Sequence, residues 1–124
     1  MTFADFRKDL FYNTTLVGPF AKQIIYSTPG APDRVIWCRM DLTAVDQMNT
    51  SSDSNVQTAL VSVGRDESHA LGGVERAGQD DTLLPIGDDP ASMRFAFTGE
   101  IVEETPHSLR LKFTREVPFR IGKR

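Results

Sequence analysis

The chain has one cysteine, two histidines and no apolar run longer than a few residues. The lone Cys38 excludes an intrachain disulfide and any CxxC metal or redox site. Small secreted domains usually carry several cysteines, so assembly in the cytoplasm is expected. A membrane-spanning helix needs about 20 apolar residues, and no such stretch exists. The start lacks a basic segment followed by an apolar run, which predicts no secretion signal. A basic excess is missing too. The net charge of −3 argues against nucleic acid as the main partner, because phosphate binding needs a basic surface.

What is present is ordinary for a folded domain: 40% hydrophobic and 25% charged residues over 124 positions, consistent with one domain spanning 1–124. The charge is unevenly spread. Residues 108–124 hold six basic residues against Glu116 alone, leaving eight basic against sixteen acidic elsewhere. Acids concentrate in residues 66–89, where Arg76 is the only basic residue. Such asymmetry can orient a subunit against a neighbour or present a basic end to an anion; the plain alternative is a solvated surface.

TFADFRKDLFYN reads as a short N-terminal helix with Thr2 as N-cap. Phe3, Phe6 and Leu10 form its apolar stripe, Phe11 widens it, and Asn13 offers a stop. Strand patterns follow at residues 20–28, 34–42, 59–64, 82–86, 92–103 and 109–113. The first two, joined by Pro29-Gly30 and Pro32-Asp33, read as a hairpin. In the second, Ile36, Cys38 and Met40 share one face and Val35, Trp37 and Arg39 the other. Pro85 predicts that its strand lies at an edge or near a bulge, and Gly99 a bulge or a sharp bend in the next. In the last, Leu109, Leu111 and Phe113 point inward, Arg110 and Lys112 outward. The expected fold is mainly β: a small antiparallel β-barrel or sandwich of about six strands, with a short N-terminal helix and two long loops.

Catalytic constellations are absent from the local patterns. His69 and His107 fall in expected loops, and neither has a local link to Cys38. DSNVQT at Asp53 lacks the glycine and acids of a calcium loop. Gly72, Gly73 and Gly78 come without the lysine or spacing of a phosphate-binding loop, so flexibility is their expected role. Trp37 and the phenylalanines are not interleaved with basic residues as in a nucleic-acid stacking platform. No metal, cofactor or catalytic activity is expected.

The two long segments, AVDQMNTSSDSNVQT (44–58) and DESHALGGVERAGQDD (66–81), need a reason. Loops this long are usually functional or unstructured. Ordering fifteen residues costs on the order of 15–30 kcal/mol in backbone entropy. Val45, Met48 and Val56 return about 1.5–3 kcal/mol each if fully buried. The balance favours a scaffold that orders its loops on partners; the alternative is a pair of tolerated mobile insertions.

The order of these elements resembles a known family. A Phe-rich helix (FADFRKDLF) leads into a hairpin (AKQIIYSTPGAPDRVIWCRMDL), a polar loop and a short strand (ALVSV). DTLLPIG, a further strand, a turn (EETPHS) and an amphipathic strand (LRLKF) follow. The chain thereby resembles the head–tail joining proteins of long-tailed bacteriophages, also called tail-attachment or head-completion proteins. GDDPASMR departs from the tight turn usual there. The resemblance implies a structural virion protein, assembled in the host cytoplasm. It implies a small barrel that joins a ring, commonly of six subunits, between the portal side of the DNA-filled head and the tail. It also implies loops that are disordered until assembly.

Partner contacts toward the portal or adaptor protein and the tail proteins would then fall on the loops: Asp46, Gln47, Asn49, Ser51, Asp53 and Asn55 in the first, and Gly72, Gly73, Glu75 and Arg76 in the second. Arg120, Lys123 and Arg124 are the candidates to face a DNA channel, as a secondary contact. A tail terminator is a close variant of this reading. A barrel that binds oligosaccharide or nucleic acid is the alternative from another class.

Overall fold

A computed structural model describes residues 8, 10–16, 20–42, 46–47, 54–87 and 93–118 of the chain. Seven strands appear in the order β1 (Ala21–Ser27), β2 (Arg34–Leu42), β3 (Asp46–Gln47), β4 (Ser54–Gly64), β5 (Thr82–Pro85), β6 (Phe95–Glu104) and β7 (Ser108–Pro118). Six of them close an antiparallel barrel in the order β2-β1-β5-β6-β7-β4, with β4 returning to β2. Closure removes most of the free edges a small sheet would otherwise expose. The two-residue β3 lies beside β4 and continues its pairing with β2, displaced by one residue.

Alternation explains the core. Ile36, Cys38 and Met40 of β2 point inward, as do Ala59, Val61 and Val63 of β4. Leu109, Leu111 and Phe113 of β7 join them, with Tyr26, Leu83 and Phe95. Each fully buried large side chain contributes roughly 1.5–3 kcal/mol. Tyr26 and Phe97 both meet the Phe113 ring, the first edge-on at 6.2 Å. Cys38 is a fully buried free thiol, which burial pushes up to about 12.

The expected strands are present, with two extensions. β4 begins at Ser54 rather than at residue 59, and β7 runs on to Pro118 rather than ending at Phe113. Together they form an eleven-pair ladder from Ser54↔Pro118 to Gly64↔Ser108. β6 joins β7 only from Ala96↔Thr114 onward, so the last four pairs form an arm beyond that level. The reading of residues 44–58 as one loop is corrected: Asp46, Gln47 and residues 54–58 are strand. The error has a physical source, since a polar ribbon lacks the apolar alternation that signals a half-buried strand.

Gly99 has φ +92, and the β6–β7 register shifts between Phe97 and Ile101, so the expected bulge is there. Ile86 N–H donates to Gln23 O on β1, which by alternation turns the nitrogen of Pro85 the other way. The expectation of an edge or a bulge at Pro85 is corrected: β5 lies between β1 and β6 with no register shift, and on the β6 side the ladder has already ended at Leu83↔Phe95, so no ladder donor is missed.

The N-terminal helix ends in a wide π-type turn, Phe11–Thr15. Thr2, Phe3 and Phe6 lie outside the described residues. The expected stripe through Leu10 is corrected: Leu10 is half exposed, while Tyr12 and Leu16 are buried. Tyr12 lies over Gly64, where any Cβ would fall on its ring. The helix runs on past Asn13, the residue read as its stop.

Candidate functional site

Strand direction sorts the connections into two ends. β1, β4 and β6 run one way and β2, β5 and β7 the other. The 28–33 turn, segment 65–81 and the 105–107 turn therefore share one end, the loop end. The β3–β4 hairpin and the C-terminal end of β7 mark the other, the arm end.

At the loop end, β2 and β4 separate beyond Arg39↔Ser62, and segment 65–81 fills the space. Trp37 N–H of β2 donates to Leu71 O at 2.9 Å, and Val74 N–H donates to Gly64 O at 2.8 Å. One hydrogen bond on each wall fixes the segment as a plug. Val74 is fully buried in the barrel core, with Ala77 packed beside it. Arg34 donates to Gly73 O, and Arg65 donates to the carbonyls of Glu75 and Thr105.

Glycine makes this packing fit. A Cβ on Gly73 would lie 2.7 Å from Asp66 O and 2.8 Å from Gly64 O, both backbone atoms. Gly72 has φ +81 and sits against Ile36. The reading of these glycines as a source of flexibility is corrected: they allow close approach of backbone to backbone and to the core.

Two polar constellations hold the plug. Asp81, buried beneath it, accepts the Tyr26 hydroxyl at 2.5 Å and Gly78 N–H at 2.8 Å on the same oxygen. Burial raises the Tyr26 pKa, and the Asp81 contact raises it further. On the outside, Tyr12 stacks on His69 at 3.7 Å, donates to Gly72 O and accepts Asp66 N–H. Asp66 accepts Ser68 and ion-pairs with Lys8 at 3.1 Å, which lowers its pKa to about 2.

A polar cleft of about 430 Å³ lies on the outer wall beside Phe11. Register builds it: Arg39, Ser62, Arg110 and Glu103 are successive partners across β2, β4, β7 and β6. Asp41 lies one outward position along β2, 3.9 Å from Arg39 and 3.5 Å from Arg110. His107 and Ser108 complete the rim. Guanidinium and carboxylate groups alternate here, which suits a polar or zwitterionic chain. Arg110 and Lys112 were legible as outward-facing; only the register shows that Arg39 and Arg110 flank Ser62. Asp81 gave no sequence signal, because a carboxylate beside a turn is ordinarily solvated.

The residues named from the sequence do not converge. Asp46, Gln47 and Asn55 are strand residues at the arm end, with Asp46 opposite Val56 and Gln47 opposite Asn55. Gly72, Gly73, Glu75 and Arg76 are in the plug at the loop end; only Glu75 and Arg76 are exposed. Asn49, Ser51, Asp53, Arg120, Lys123 and Arg124 lie outside the described residues. Of the acidic stretch 66–89, the acids up to Asp81 lie at the loop end, and Asp88 and Asp89 lie outside the described residues. Among the described residues, no group of three or more His, Cys, Asp or Glu is placed to hold a metal, and no helix is long and apolar enough to cross a membrane.

Compared with family models, with curated proteins and with solved structures, the chain has no match in any of the three.

Proposed function

We propose that this chain is a structural virion protein of a long-tailed phage or prophage. Its subunits form a ring, commonly of six, in the connector between the DNA-filled head and the tail. One observation supports this reading above the others: the described parts of the two long polar segments lie at opposite ends of one closed barrel. A connector subunit meets the head side at one end and the tail side at the other, and needs a rigid body between them. The filled core supplies rigidity, the β3–β4–β7 arm projects at one end, and exposed Glu75 and Arg76 mark the other. In this reading the portal or adaptor protein and the tail proteins take opposite ends.

A barrel that binds oligosaccharide or nucleic acid is the second reading, and the outer cleft favours it. Replacing residues 48–53 with an Asn-Gly turn separates the two. The connector reading predicts a folded barrel that fails to enter particles. A shortened protein that joins particles at the normal level would overturn it.

A further inference from the structure

The barrel leaves one long strand edge without a partner among the described residues. β6 meets β5 only at Ala96 and Phe97: Thr82 pairs with Ala96, and Phe97 N–H donates to Asp81 O. Beyond Phe97, β6 pairs with β7 on one side at Ile101, Glu103 and Glu104, across two register shifts, and no described strand lies on the other. Every residue from 98 to 104 is exposed, including Ile101 and Val102 at 44% each. An exposed edge with apolar residues is a template for strand addition.

Charge narrows what it accepts. Glu100, Glu103 and Glu104 stand along the edge. Lys112 pairs with Glu100, Arg65 with Glu104, and Arg110 lies opposite Glu103. Two such edges laid against each other would bring like charges together, which disfavours β6–β6 pairing. A basic strand meets no such penalty. The same chain supplies one in FRIGKR, residues 119–124, with Arg120, Lys123, Arg124 and the apolar Ile121.

Within one copy this run is out of reach. Ile101 is level with Leu111, and Pro118 lies seven residues further along β7, about 23 Å away. Six extended residues span at most about 20–22 Å, which leaves none to lie along the edge.

We propose that the edge of β6 at residues 98–104 receives residues 119–124 of a second copy of this chain as an added strand. The contact joins the arm end of one subunit to the loop-end hairpin of the next. It is heterologous, and a heterologous contact closes into a ring when the rotation allows. The inference deepens the connector reading and rests on it, since it supplies the contact between ring neighbours.

Two measurements on the full chain test it. The first is an NMR titration of the isotope-labelled protein with the peptide VPFRIGKR. Amide shifts should concentrate at residues 98–104, and a scrambled peptide of the same composition should produce none there. Val102→Lys should weaken the peptide about tenfold, because a lysine on an edge opposes strand addition. The second mixes two singly substituted chains, Val102→Cys and Ile121→Cys, under oxidising conditions. Heterodimers linking position 102 to position 121 should dominate.

Peptide shifts that miss β6, absent shifts, or cross-links only between two 102 positions would each overturn the proposal. Particle incorporation of the unsubstituted chain separates the two levels. A chain that enters particles while the peptide and cross-link tests fail refutes this contact and leaves the connector reading standing.

Discussion

Segments 44–58 and 66–81 are alike in length and polarity, yet they build opposite kinds of structure. The first has no glycine and several β-branched residues, and its described parts pair as strands. The second has three glycines, and two of them let backbone pack where no Cβ fits. Polar residues that retain a Cβ and strand propensity find their hydrogen bonds along a neighbouring strand. Polar residues interrupted by glycine can fold back and fill a gap. A long polar run therefore does not by itself mark a segment kept for partners. At the loop end most of it completes the fold; at the arm end it extends the fold outward.

The sharpest way to break this contrast is at the buried Asp81. Tyr26→Phe removes the hydroxyl that Asp81 accepts and leaves a buried carboxylate short of a donor. The expected cost is about 3 kcal/mol in chemical denaturation. Gly73→Ala should follow at about 2 kcal/mol, because its Cβ meets backbone oxygens that have no freedom to move. At the arm end, replacing residues 48–53 with Asn-Gly should change stability by no more than about 0.5 kcal/mol. A large loss there, or a small one at Gly73, would reverse the assignment of the two ends.

The smallest effect is set by pH. Asp66 is held at about 2, below its ordinary 3.8, first by the Ser68 hydroxyl and then by Lys8. A depressed carboxylate stabilises the fold above its ordinary value, and this contribution is lost as pH falls from about 4 through about 2. Asp66→Asn should flatten the acid limb of the stability profile over that window, measured by chemical denaturation at a series of pH values.

This contrast also marks what the sequence makes legible. β2 carries its bounds openly, with Ile36, Cys38 and Met40 alternating against Val35, Trp37 and Arg39. Gly99 announced its bulge. Leu109, Leu111 and Phe113 revealed the inner face of β7. The rest depends on partners distant in sequence. Residues 54–58 are strand because residues 114–118 lie beside them, a fact no local pattern records. Val74 is core because β2 and β4 part and leave room for it. The cleft exists because Arg39 and Arg110, 71 positions apart, each lie opposite Ser62.

Native-state hydrogen exchange of the free protein tests the central claim most directly, that segment 65–81 belongs to the barrel itself. Trp37 and Val74 donate the two hydrogen bonds that wedge it in place. If the plug and barrel are one cooperative unit, both amides exchange only through global unfolding, with the same free energy as Leu111 in the core. Exchange of Trp37 and Val74 through a low-energy local opening, with Leu111 still protected, would contradict the account and return segment 65–81 to the status of an independent loop.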